Sequence, residues 1–290
     1  MERIFDSLRQ VHVVVENEVG LVAISAGAPN AARVALEADM PGAEDLVEKA
    51  IIECRPSGGR DVVFVKIPRV HGMKFIRRNG VTVHVEVPPE SDVHVSTGSA
   101  HVELNGSLGE ANVKTASGDI TADEVLALKA KTASGDIEVG TVRGELRMHT
   151  AAGDLRCARV DGRASVSSTS GDAEIGTAGD GIDVRATSGD VRLGDVSGDT
   201  SVVAVSGDVH VLSLTEGSMH VRSVSGEVEV GVARGVALSV DAETMSGMVH
   251  SDIPLHPAPG APQGDPAVAL TVRSVSGNIL ITRGVEAFVR

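Results

Sequence analysis

The sequence predicts an all-β protein, a single-chain parallel β-solenoid (β-helix) of about 18-residue coils with an N-terminal β-rich cap containing one short helix. Three observations carry this. A turn glycine recurs at Gly118, Gly135, Gly153, Gly171, Gly189, Gly207 and Gly226, spaced 17, 18, 18, 18, 18 and 19 residues apart, then at Gly247 and Gly277. Each coil next carries an alternating apolar pair, as in Ile137 and Val139, Leu155 and Cys157, Val191 and Leu193, Val209 and Val211, or Val228 and Val230. Alternation at period two marks a strand with one buried face. A second alternating stretch follows in the same unit (Leu146 and Met148, Ile182 and Val184), set off by Gly144, Gly162, Gly198 or Gly235.

Two short strands and two turns cannot bury an apolar face alone. Stacking successive units in register, about 4.8 Å apart, makes a continuous column of Val, Ile and Leu. Helical repeats are excluded because Gly and β-branched residues interrupt every window long enough for a helix. An antiparallel sandwich would not demand the same turn residues in every unit.

Along the chain, Val11 to Val15 and Leu21 to Ile24 predict a hairpin, and Val34 to Ala38 a strand. AEDLVEKA, Ala43 to Ala50 after Pro41-Gly42, predicts the short helix. Val62 to Ile67 and Val81 to Val87 alternate strongly and predict strands. Residues 1–90 are expected to cap the stack or join it as atypical coils, because a solenoid end exposes unpaired backbone. Residues 91–283 form the solenoid, interrupted at Ser251 to Ala267 by a loop whose five prolines exclude regular pairing, and residues 284–290 form a tail.

Composition narrows the function. The chain has 290 residues, no Trp or Tyr, and only Phe5, Phe64, Phe75 and Phe288 as aromatics. Enzyme pockets and sugar platforms normally use aromatics, and a narrow coil does not need them. A net charge of −14 opposes binding to nucleic acid and to anionic membranes. No signal peptide or 18-residue apolar run is visible, so the sequence-level expectation is a cytoplasmic protein without membrane insertion. Cys54 and Cys157 match no metal-ligand spacing and read as small hydrophobes.

TASGDI (twice), TSGDV, VSGDV and VSGEV follow a strand-rich segment ending in VTVHVEVPP, Val81 to Pro89. That order, over roughly residues 10 to 283, resembles the bacterial β-strand-repeat family of unknown function labelled "putative adhesin". The resemblance implies a β-solenoid and assigns no catalytic residues.

An acidic ladder is the most suggestive chemistry: Asp119, Asp136, Asp154, Asp172, Asp190, Asp208 and then Glu227 hold one coil position. Stacked carboxylates repel, so a cation could relieve them. The simpler expectation is a turn residue whose carboxylate bonds local N–H groups. The doubled glycine and nine-residue period of known Ca²⁺ repeats are missing. The adjacent Ser117, Ser134, Ser170, Ser188, Ser206 and Ser225 are equivalent to one another, which suits a hydroxyl ladder on turn backbone and not a nucleophile. His94 and His101 could meet across neighbouring strands, but no third ligand accompanies them.

The expected function is therefore non-catalytic: an adhesin-like scaffold binding another protein, with no cofactor. Pro254, His256, Pro257 and Pro259 of the loop, and Phe288, are the candidate contact residues. Two alternatives remain open. One is a self-assembling, bactofilin-like element pairing through an open C-terminal coil; the other is a cation-binding repeat or degenerate solenoid enzyme.

Overall fold

The computed structural model describes residues 1–6, 9–27, 29–68, 80–253 and 267–284. They are all-β and solenoid-like apart from one five-residue helix, Glu44–Glu48. The chain divides into two compact units: Met1–Arg143 with Met148–Thr150, and Gly144–Arg147 with Ala151–Arg290.

In the first unit the strands Val11–Asn17 and Gly20–Ala26 are consecutive but do not form the expected hairpin. Val11–Asn17 pairs in parallel with Arg60–Lys66 on one side and Asp92–Thr97 on the other. Gly20–Ala26 pairs in parallel with Val81–Val87 and with the first half of His101–Lys114. The two strands thus act as the two halves of one repeat. Their apolar alternation was legible; what it could not reveal is that the partner strands come from distant sequence. Asn17, 3% exposed, fixes the turn between them by donating from Nδ2 to the Val81 carbonyl at 2.8 Å.

This unit also contains antiparallel pairs that give it a different character. Ala31–Ala38 runs antiparallel to Val81–Val87, and Glu2–Asp6 antiparallel to Ala31–Ala38. Ile51–Ser57 folds back on Arg60–Lys66 as a hairpin through Gly58-Gly59. The helix lies on the connection between these groups, with Ala43 before it fully buried. The described strands up to Lys66 thus combine inserted parallel strands with antiparallel ones.

The second unit is the regular repeat. Leu155–Val160 pairs in parallel with Ala173–Ala178, that strand with Val191–Ser197, and that one with Val209–Ser225, mostly 18 residues apart. The other strand of each repeat does likewise, Ala164–Ser170 with Ile182–Ser188 and that with Thr200–Ser206. Inward positions such as Leu155, Ile175, Leu193 and Val211 are at most 1% exposed. The turn glycine is required by close approach: Gly189 has φ +130°, and a Cβ there would lie 2.3 Å from the Gly171 carbonyl oxygen. Only glycine lets successive turns nest at strand spacing.

Spatial order departs from sequence order at the end of this unit. Val268–Ser276 inserts between Val209–Ser225 and Leu238–Ser246, in parallel with both. Ile279–Arg283 likewise inserts between Val228–Val232 and Val249–Ser251. The C-terminal repeat is therefore internal, and among the described residues the edge belongs to Leu238–Ser251. The expectation of an open C-terminal coil is corrected. A repeat pattern reports membership of the stack, and the long non-repeating segment before Val268 lets the chain return one level.

Candidate interaction surface

The acidic positions do come together, within each unit, in the way a turn residue would. In the first unit Asp119 Oδ1 accepts the backbone N–H of Asp136 at 3.0 Å. In the second, Asp154, Asp172, Asp190 and Asp208 accept in turn from the N–H groups of Asp172, Asp190, Asp208 and Glu227 at 2.8–3.0 Å. Each carboxylate thus ties one repeat to the next. Asn278 continues the pattern by accepting from the Met248 N–H at 3.1 Å. Met248 itself ends it, since the edge repeat has Gly-Met where the others have Gly-Asp, Gly-Glu or Gly-Asn.

Basic side chains offset the carboxylate charge. Arg192 bridges Asp172 at 3.1 Å and Asp190 at 2.7 Å, and Arg156 reaches Asp154 at 2.8 Å. One column over, Arg156, Glu174, Arg192, His210 and Glu229 follow each other on paired strands, with His210 Nδ1 2.9 Å from Glu229. The neighbours Arg156 and Glu174, Glu174 and Arg192, and His210 and Glu229 are the complementary cross-strand pairs of this column. The Asp172 carboxyl titrates below its ordinary range, first because of the Asp190 N–H and then because of Arg192. Asp190, Arg192, Asp208, His210, Glu227 and Glu229 line a shallow open groove on this face. Among the described residues, no three His, Cys, Asp or Glu side chains are grouped so as to hold a metal ion.

The serines before the turn glycines are exposed, and the hydroxyls that satisfy turn backbone come from elsewhere. Thr115 and Thr132, inward and buried, accept the N–H groups of Gly118 and Gly135 at 2.9 Å. His94 and His101 do not pair. His94 lies beside Val14 and Asn112, while His101 contacts Asp119 at 3.3 Å. Pro254, His256, Pro257, Pro259 and Phe288 lie outside the described residues.

Sequence reasoning missed an outward apolar stripe in the second unit. Val205, Val224, Val275 and Met245 are 44%, 48%, 46% and 83% exposed. The residues flanking them pair directly, Ser206 with Ser225, Ser225 with Ser276, and Ser276 with Ser246. The four side chains therefore stand on neighbouring strands. The same column carries exposed Thr169 and Thr187 in earlier repeats, so the stripe turns from polar to apolar toward the edge. The signal was present as TSG changing to VSG and MSG, but exposure decides its meaning.

Stacked strands, nested turn glycines and a hydrogen-bonded carboxylate ladder define a β-repeat protein whose repeated residues serve the stack. The chain belongs to the Toastrack DUF4097 family, whose pattern matches residues 60–193 and 176–282. This is a bacterial family of unknown function. Solved structures similar to the chain include a protein described as a "putative adhesin" from Parabacteroides distasonis, 14% identical, covering 97% of this chain and 96% of that one, TM-score 0.47. Another, from Bacteroides fragilis and described in the same words, is 10% identical over 97% and 96%, TM-score 0.42. No curated protein matches the sequence. Among the described residues, no helix is long and apolar enough to cross a membrane.

Proposed function

We propose that the chain is a non-catalytic interaction scaffold of the parallel β-solenoid type, an outer face of which binds another protein. The observation that carries this reading is the division of labour among exposed residues in the second unit. The ladder carboxylates and their arginines are occupied in joining repeats. Among the exposed apolar side chains of this unit, Val205, Val224, Val275 and Met245 are aligned on adjacent strands. Aligned apolar exposure beside satisfied polar groups is the signature of a contact surface.

A photo-cross-linking amino acid placed at Val224 tests this in cells expressing the protein, with the same residue at Thr169 as the control. The scaffold reading predicts a discrete protein adduct from position 224 that position 169 does not give. Absence of an adduct, or the same adducts from both positions, contradicts it.

A further inference from the structure

The edge repeat is unfinished in a specific way. The inward residues of Val268–Ser276 are closed off, with Val268, Leu270 and Val272 at most 1% exposed. Their partners on the edge strand Leu238–Ser246, namely Leu238, Val240 and Ala242, are only half-buried. Among the described residues, that strand pairs through Val268–Ser276 alone. Among the described residues, its other side therefore presents a second row of backbone N–H and C=O groups together with half-buried core side chains.

The charge at this edge has one sign. Residues 238–253 contain Asp241, Glu243 and Asp252 and no Lys or Arg. On its paired side the strand takes Arg273, which donates to Asp241 Oδ1 at 2.9 Å and lies 3.6 Å from Glu243. Asp241 and Glu243 nevertheless stay 65% and 71% exposed.

We propose that the free edge of Leu238–Ser246 is a docking site for one extended segment of another polypeptide. The segment adds as a further strand, small apolar residues inward over Leu238, Val240 and Ala242 and a basic residue outward beside Asp241 and Glu243. This deepens the scaffold reading and rests on it. Strand addition supplies main-chain hydrogen bonds, and the alternating side chains supply selectivity. A second copy is the poorer occupant. Two such edges meeting antiparallel about Ala242 set Asp241 against Glu243, and like charges directly opposite are destabilising. A further full repeat is also poorly served, because Met248 offers no carboxylate to the turn above it.

The probe is a dye-labelled peptide with the sequence of residues 268–276, the pattern that already pairs with this strand. Fluorescence anisotropy with the full chain should show saturable binding. Asp241→Lys with Glu243→Lys in the protein, or Arg273→Glu in the peptide, should each weaken it about tenfold or more. Combining the two reversals should restore it. If the doubly substituted protein melts, the charge-reversed peptide against the unaltered chain decides the matter alone.

Absence of saturable binding, binding indifferent to the reversals, or a dimer of the chain that the same substitutions abolish would each overturn the proposal. The cross-link at position 224 reports separately: an adduct there without peptide binding leaves the scaffold standing and removes the edge site.

Discussion

Asp190 and Asp208 hold the same position in successive repeats, and the carboxylate of the first accepts the backbone N–H of the second at 3.0 Å. Repetition of this one bond explains why aspartate follows the turn glycine so regularly. It makes the side chain part of the stack, where the sequence alone left a cation site open as an alternative.

Asp190→Ala should therefore destabilise the protein by about 1 kcal/mol, the usual net value of one such hydrogen bond. Asp190→Asn retains an acceptor oxygen and should cost less. Urea unfolding measures both, and equal effects would show that charge and not acceptance matters at this position.

Gly189→Ala should be far more damaging, by about 3 kcal/mol, because it combines a positive φ with a collision against backbone. Gly235→Ala is the control. Its φ is also positive, at +79°, but a Cβ there meets nothing within 4 Å, and about 1 kcal/mol is expected. Thermal melts of the two variants should differ widely.

The repeat itself was legible because stacking imposes one residue type at each turn, and glycine and aspartate report that directly. The N-terminal pairing was not. Val11–Asn17 and Gly20–Ala26 have the alternation of a hairpin, yet their partners are Arg60–Lys66, Asp92–Thr97, Val81–Val87 and His101–Lys114. Period two fixes which face is buried and not which strand lies alongside. The apolar stripe escaped for a related reason: a valine in a strand-rich sequence reads as core until its neighbours show that Ala204 points inward and Val205 outward.

Acid should act through Asp172. Its folded-state pKa lies below the ordinary 3.8, so the unfolded chain binds the proton more tightly. The stabilisation is present above pH 3.8 and is lost as pH falls through the lower folded value. Asp172→Asn should flatten stability against pH in that range, measured by urea midpoints. An unchanged slope would mean that the Asp190 N–H does not favour the ionised form.

A second pH effect belongs to His94 in the first unit. Burial lowers its pKa from 6.5, helped by Lys114 and His12 and opposed by Glu16. Neutral imidazole is favoured in the folded state, so stability is fully present above pH 6.5 and declines on acidification below it. His94→Gln should remove that decline from the same urea series.

The two thiols should differ in reactivity. Burial pushes Cys157 up to about 11, leaving it protonated and enclosed. Cys54 is only half-buried, and burial with the nearby Asp61 charge raises it as well. Iodoacetamide at pH 8 should label Cys54 slowly and Cys157 only after denaturation. Rapid labelling of Cys157 in the folded protein would contradict the buried register of Leu155–Val160.

The central claim is the spatial order that places the C-terminal repeat inside the stack and leaves Leu238–Ser251 at the edge. Cysteine pairs test it most directly, in a chain carrying Cys54→Ser and Cys157→Ala. Neighbouring strands, about 4.8 Å apart, bring paired positions within disulfide range, and strands two apart do not. Val224→Cys with Val275→Cys, and Val275→Cys with Met245→Cys, should each form an intramolecular disulfide under mild oxidation, while Val224→Cys with Met245→Cys should not. Ready cross-linking of 224 to 245 and of 245 to 275, with none of 224 to 275, would show that the repeats stack in sequence order and would remove the edge on which the docking proposal depends.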